Sequence, residues 1–183
     1  LGVRGLSFTG SQSGIITTNH HRRARIERIL GDRVRKALAE GAVAIVAGFQ
    51  GMSEEKEITT LGRGGSDTTA VALAAALRAD RCDIYTDVDG IYSADPRIVP
   101  GARRIPRIGH EAMVELASRG AGVLHPRSVE LAQKYKVPLW VRSSLKEMTA
   151  NVGETDGTEV IDMDAYEKTK KAGMETTEVT GVT

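Results

Sequence analysis

The residues best placed to do chemistry lie between Thr59 and Ala74, in the run TTLGRGGSDTTAVALA. Gly62, Gly64 and Gly65 stand directly before a segment of helical composition. Glycines ahead of a helix start leave backbone N–H groups and the positive end of the helix dipole open to an anion. Arg63 adds a planar fork of donors that suits a carboxylate or a phosphate. Ser66 and Asp67 stand where a helix cap belongs, so the same residues also read as a tight turn with an ordinary N-cap. Better known loops do not fit. A P-loop needs a Lys before Ser or Thr, and none is in this turn. A dinucleotide fingerprint needs a third Gly where Asp67 stands. In GSQSG at 10–14, Gln12 takes the place a nucleophilic Ser would need.

A second candidate is the acidic run TDVDGIYSADPR at 86–97. It follows an expected strand, and ligands of open α/β sheets bind at the carboxyl ends of the strands. Asp87, Asp89 and Asp95 could hold Mg²⁺, directly or through water. Thr86 and the backbone could hold a base or ribose, Tyr92 could stack on the base, and Arg97 could meet phosphate. It is not a calcium-binding EF-hand loop, because Tyr92 stands where the sharp turn needs Gly. An Asx-turn loop with solvated carboxylates is the plainer reading of the same residues.

Other reactive side chains are expected to be structural. His20 and His21 are adjacent and cannot share a helix face as paired ligands do. His110 begins a helix and His125 precedes Pro126. Cys82 sits in an apolar strand as an inert thiol, and a single Cys in 183 residues excludes a disulfide framework. With 25 Lys plus Arg against 24 Asp plus Glu, no basic surface calls for nucleic acid. No apolar run approaches the roughly 18 residues of a membrane span, and no targeting segment is visible at the N-terminus, so a cytoplasmic location is expected. Aromatics are only 4%, so Ala, Val, Ile and Leu must fill the core.

The elements that would position these residues follow from pattern. RIERIL at 25–30 reads as a half-exposed strand and DRVRKALAE at 32–40 as a helix stopped by Gly41. Ala42–Phe49 is short and apolar throughout, as in a strand buried on both faces. Ile58–Leu61 makes a short strand, and a helix capped by Ser66 or Asp67 runs to about Ala79. Cys82–Thr86 is the next strand, and residues 88–107 are loop. Helices follow at His110–Arg119 and Pro126–Tyr135, with Pro126 at the first helical position. Val137–Val141 is a strand, Val160–Asp162 an edge strand, and Asp164–Ala172 a charged linker helix. Alternation of this kind predicts an α/β fold around an open, mostly parallel sheet.

Five motifs together resemble the aspartate kinases of the amino acid kinase family. They are FTGSQSGIITT at 8–18, VAGFQG at 46–51, TTLGRGGSDTTAVALAAAL at 59–77, YTDVDGIYSADPRIVPGAR at 85–103 and VLHPRSVELAQKY at 123–135. The resemblance implies a three-layer α/β/α sandwich, with residues 1–161 as the nucleotide-binding part of a catalytic domain. Residues 162–183 would be a linker and the start of an ACT regulatory domain. It implies transfer of the γ-phosphoryl group of MgATP to the side chain of L-aspartate. Arg63, Gly64, Gly65 and Ser66 would then bind aspartate, and Asp67 would organise the transferring group. Thr86, Asp87, Tyr92, Asp95, Pro96 and Arg97 would bind ATP, with no protein-held metal site. Lysine or threonine would be feedback effectors of the intact protein.

Two departures stand out. The family's K-F-G-G-[ST] motif, whose Lys neutralises the transferring phosphate, does not occur here. In GAGVLHP at 120–126, Gly122 replaces a family Lys in the ATP site. The chain is therefore expected to be a truncated and inactive part of its parent, and an unpaired sheet edge is expected to drive homo-oligomers. A non-catalytic nucleotide-binding module remains an alternative. So does a kinase of the same family acting on glutamate, acetylglutamate or UMP, although Arg63 to Asp67 favour aspartate.

Overall fold

The computed structural model describes residues 2–120, 122–145 and 156–168. Its first half contains β1 (Gly5–Phe8), β2 (Ile15–Thr17), β3 (Ile26–Ile29), α1 (Asp32–Ala39), β4 (Val43–Val46), β5 (Gln50–Met52), β6 (Ile58–Thr60) and α2 (Gly65–Leu77). There follow β7 (Cys82–Thr86), β8 (Ile91–Tyr92), β9 (Arg104–Ile105), β10 (Arg107–Gly109), α3 (His110–Ser118), α4 (Pro126–Tyr135), β11 (Leu139–Ser143) and β12 (Thr158–Ile161). The strands form two four-stranded sheets, β3-β2-β5-β6 and β10-β12-β11-β7, and two pairs, β1-β4 and β8-β9. The pairs β1 with β4, β2 with β5, β7 with β11 and β10 with β12 are parallel. Antiparallel pairs join β5 to β6 across a short loop and β8 to β9 across a longer one. No helix among the described residues is long and apolar enough to cross a membrane.

The larger core lies under the site. Val71 and Ala74 of α2 meet Cys82 and Ile84 of β7, Leu139 and Val141 of β11, and Val129 and Ala132 of α4. A smaller core joins Phe8, Val34, Ala37 and Ala42, with Leu77 at the far end of α2 packed against it. The nearly all-apolar α2 thus serves two cores, which explains why it has no polar face. Between α1, β4 and α2 runs a mostly apolar cleft of about 410 Å³ that reaches Gly48, Ser66 and Thr69.

Several expected elements shift. Composition predicts that Ala42–Phe49 is buried on both faces, but β4 leaves Val43 and Ile45 52% and 57% exposed. Only the Ala44 and Val46 side packs on the small core. The edge strand expected at Val160–Asp162 is β12, and it lies between β10 and β11. Thr158 explains the interior position. Its hydroxyl accepts the Ile91 N–H at 2.8 Å and donates to the Ile105 carbonyl at 2.6 Å, pinning the β8-β9 hairpin. The loop expected over 88–107 contains that hairpin and opens into β10. The linker helix expected at 164–172 is helical over the described 163–168. Its remainder and the expected start of a regulatory domain after it lie outside the described residues.

His110 is structural, as expected. It is 5% exposed, and its Nε2 lies 3.2 Å from the Val137 carbonyl oxygen. Burial pushes its pKa below the ordinary value of 6.5, against smaller upward pulls from the Val137 carbonyl and the Asp162 charge. The fold therefore prefers neutral His110, and the unfolded chain binds the proton first as pH falls. Stability is fully present above pH about 6.5 and declines below it. Denaturant midpoints measured from pH 7.5 to 5 should fall, and His110→Gln should flatten the decline.

Among the described residues, β4 pairs only with β1, and β7 is the terminal strand of its sheet. Open strand edges beside exposed Val43 and Ile45 are templates for association. Light scattering should therefore show self-association. Val43→Lys with Ile45→Lys should reduce it at a stability change within about 0.5 kcal/mol, since both side chains are exposed. A stable wild-type monomer at high concentration would contradict this.

Candidate active site

The glycine turn leaves the end of β6 and is pressed between three other segments. Gly62 has φ +77° and a Cβ there would lie 2.5 Å from the Arg22 carbonyl oxygen. Gly64 has φ +65°, and its Cβ would lie 2.2 Å from both Cβ and Cγ of His125. Both positions therefore need glycine twice over, for the left-handed backbone and for the close approach. Gly65 packs against Phe49 and Leu61 in the same manner. Arg127, in the first turn of α4, donates from Nη1 to the Leu61 carbonyl at 3.1 Å and from Nη2 to the Ala24 carbonyl at 3.4 Å.

The start of α2 differs from the expected cap. Gly64 itself is the N-cap, and no side chain caps the helix. Ser66 and Asp67 lie inside the first turn. Because Gly64 adopts a left-handed conformation, the helix begins two to three residues sooner than a Ser66 or Asp67 cap would allow. Thr68 and Thr69 turn back to donate to the Gly64 and Gly65 carbonyls, each at 2.7 Å. The first-turn N–H groups, which no intrahelical carbonyl can reach, thus have no side-chain competitor for an incoming anion. Arg63 is exposed next to them.

Asp67 is half-buried at this helix start. Burial pushes its carboxyl pKa up, while the His125 backbone N–H, the His125 charge and the Ser66 hydroxyl pull it down. Burial is the largest of these, so the fold favours the neutral acid relative to the unfolded chain.

The acidic loop is held from the other side of β7. The Thr86 hydroxyl donates to Asp87 at 3.1 Å, and the Thr86 carbonyl accepts from the Ser144 N–H at 2.7 Å and its hydroxyl at 2.9 Å. Tyr92 donates to Asp89 at 2.9 Å, which pushes the phenol pKa up. Arg97 grips Asp95 through Nε at 3.1 Å and Nη2 at 3.0 Å, holding that carboxyl below its usual range. Pro96 lies exposed between them. Asp87, Asp89 and Asp95 do not gather as ligands: no metal-holding group of three His, Cys, Asp or Glu exists among the described residues. Asp89 and Asp95 are instead engaged by Tyr92 and Arg97. The donor set fits a Mg²⁺ that arrives on phosphates and needs only one or two carboxylates, not an ion caged by this chain.

Gly122 lies in the α3–α4 loop that ends at His125. A Cβ there would meet nothing closer than the Gly120 carbonyl oxygen at 3.9 Å. Two residues of this region escape sequence reading. His125 reads from sequence as merely structural, yet it is the wall of the turn. Phe49 is 45% exposed and sits at φ +72° beside Gly65, with its N–H on the Thr69 hydroxyl at 3.1 Å. A left-handed non-glycine residue costs about 1–3 kcal/mol and clusters at functional sites. No local pattern marks either residue, because both matter through contacts distant in the chain.

Asp67→Asn should stabilise the protein at pH 7, because it removes a charge that burial opposes. The gain should vanish below pH about 4, where the carboxyl is protonated both folded and unfolded. Thermal midpoints at pH 7 and 3.5 check this, and a loss of stability at pH 7 would contradict it.

Known proteins resemble this chain in sequence and fold. Residues 1–143 match the model of the amino acid kinase family. An aspartokinase of Geobacillus stearothermophilus is 61% identical over 145 residues, which is 79% of this chain and 36% of that protein. The structure of Escherichia coli aspartokinase III in complex with aspartate and ADP, in its R-state, superposes with a TM-score of 0.76 at 38% identity. It covers 87% of this chain and 35% of that one. Its T-state complex with lysine and aspartate gives 0.74 at 37% identity, covering 87% and 35%. The chain spans about a third of the length of these relatives. An α/β fold with a glycine turn feeding an uncapped helix, matched over most of its length by that family model, makes this chain a member of the amino acid kinase family.

Proposed function

We propose that this chain is the nucleotide-binding and acceptor-binding part of an aspartate kinase. The reaction would move the γ-phosphoryl group of ATP to the side-chain carboxylate of L-aspartate, giving 4-phospho-L-aspartate. The uncapped start of α2, with Arg63 exposed beside it, carries the reading. An amino acid acceptor brings an α-carboxylate, which Arg63 can hold bidentately while the N–H groups of Gly64 and Ser66 serve the anion. The Gly65 N–H, bonded to the Gly62 carbonyl at 3.0 Å, keeps the turn closed around it. Phosphoryl transfer asks the protein for positioning and charge stabilisation more than for covalent chemistry. Asp67, on the same turn, orients the groups around the transferring phosphoryl. Its raised pKa reflects its partial burial. Thr86 and Asp87 bind the adenosine end, with Tyr92, Asp95, Pro96 and Arg97 closing over the nucleotide and Gly122 lining the approach. Mg²⁺ bound to the nucleotide would neutralise its phosphates.

The 61% identity to an aspartokinase and the aspartate and ADP of the E. coli complex support this choice of substrate and nucleotide. The lysine of the T-state complex supports lysine as an effector of the parent protein. We place the kinase part at residues 1–161 and a linker toward a regulatory domain at 162–183. A homo-oligomer in the cytoplasm is the assembly and location we expect.

Calorimetric titration with MgADP and then L-aspartate tests the reading. MgADP should bind saturably, and Asp87→Ala should weaken it about tenfold or more, as loss of a charged hydrogen-bonding group does. Arg63→Ala should cost aspartate a similar factor through the lost bidentate contact. Gly122→Lys should be accommodated, since its side chain enters open space, and should tighten MgADP several-fold. Absence of any binding by a folded chain, or preference for glutamate or UMP over aspartate, would overturn the assignment.

A further inference from the structure

His125 lies outside the glycine motif, yet the fold aims it at the centre of that motif. Pro126 restricts the residue before it to extended backbone, and His125 has φ −77° and ψ 134°. Its Nδ1 accepts the Arg127 N–H at 3.3 Å, capping α4. With Nδ1 accepting, the neutral ring carries its proton on Nε2. The Cβ, Cγ and Cδ2 atoms of His125 stand 2.2, 2.2 and 2.6 Å from where a Gly64 Cβ would be. The His125 backbone N–H is near enough to the Asp67 carboxylate to pull its pKa down. Two residues on, Arg127 holds the Leu61 carbonyl just before the turn. The first turn of α4 therefore grips the glycine turn at its entry, at its left-handed apex and at its acidic exit. A turn of three glycines has great backbone freedom. The Gly65 N–H on the Gly62 carbonyl and the Thr68 and Thr69 hydroxyls hold its exit, and the His125 ring is what confines Gly64 at its apex.

From this contact we infer that His125 is a positioning residue of the acceptor site. It fixes the Gly64–Asp67 backbone in the anion-binding arrangement before a ligand arrives, so binding loses little ordering entropy. This rests on the proposed function for the identity of the acceptor, but not for the effect of the ring on the turn.

The test uses the full chain with His125→Asn, His125→Ala, Gly64→Ala and the Gly64→Ala/His125→Ala double variant. Asparagine keeps a cap acceptor for the Arg127 N–H and loses the ring. His125→Asn should therefore hold its thermal midpoint near wild type. Amide hydrogen exchange at Gly64 and Gly65 should rise about tenfold or more, as local opening becomes easier. Affinity for L-aspartate should fall about tenfold, the scale of a small misplacement of binding groups, with MgADP affinity unchanged. His125→Ala should lose the cap as well and drop in midpoint. The double variant should lose less than the sum of its single changes, because removing the ring makes room for the methyl group that Gly64→Ala adds. Unchanged exchange in His125→Asn, equal loss of both ligands, or full additivity in the double variant would each overturn the inference. Failure of the wild-type chain to bind aspartate would overturn the proposed function instead, and the exchange and additivity measurements would still decide the role of His125.

Discussion

Gly64 and His125 approach so closely that no methyl group fits between them, and the site depends on that contact. It joins the start of α2 to the start of α4, two helix N-termini brought together at one point. Each helix packs into the same core, through Val71 and Ala74 on one and Val129 and Ala132 on the other. Core packing of this kind is stiff, since buried side chains meet at near-crystalline density. That stiffness is transmitted to a turn whose own hydrogen bonds, from Gly65 N–H, Thr68 and Thr69, hold only its exit. A glycine turn on a looser frame would offer the same N–H groups in many orientations and bind an anion weakly. Here the left-handed φ of Gly64 leads directly into α2, so the backbone that makes the turn also makes the helix start.

Electrostatics at this point are in competition. The helix start favours negative charge by roughly 0.3–1 kcal/mol, and Asp67 in the first turn benefits from it. Burial opposes the same charge and wins, since the pKa of Asp67 is raised. A residue kept for stability alone would not be left in that position. The cost is intelligible where a carboxylate must stand near a transferring anion, because phosphoryl transfer requires charge placed in a water-poor site before the reaction. Arg63 is exposed beside this start and is free of the same conflict. Asp95 and Arg97, by contrast, are a surface pair that satisfy each other, and such a pair contributes little to stability.

Much of this is legible in the chain, and the exceptions have physical causes. The helix at Pro126–Tyr135 announces itself through Pro at its first position, and Cys82–Thr86 through its apolar alternation between loops. The glycine turn shows in its spacing, three glycines ahead of a helix start. Pattern does not reveal β1, β2 and β5, each of three or four residues, too short for a period to register. The cap of α2 falls earlier than its side chains suggest. Ser66 and Asp67 have the right chemistry for a cap, while the left-handed backbone of Gly64 decides where the helix begins. Val43 and Ile45 read as a doubly buried strand, since composition cannot say whether a second layer covers a face. His125 reads as one more structural histidine. Its importance lies in a contact with a residue far away in sequence, and that information exists only in the fold.

The arrangement of the two cores adds a constraint on how the site can move. Leu77 packs on the small core of Phe8, Val34 and Ala37, whereas Val71 and Ala74 pack on the large one. A rigid α2 therefore couples the cleft beside β4 to the turn at its own N-terminus. Any shift of α1 and β4 against β7 and β11 must either bend α2 or tilt it as a unit. Sharp bends need Pro, Gly pairs or a bulge, and α2 has none of these beyond its first residue. Tilting is left, and it would swing the helix start against His125. The turn thus responds to the packing of the whole small core, although none of that core touches it. Stabilising the β1-β4 pair should then steady the anion site from a distance, by holding the helix that carries it.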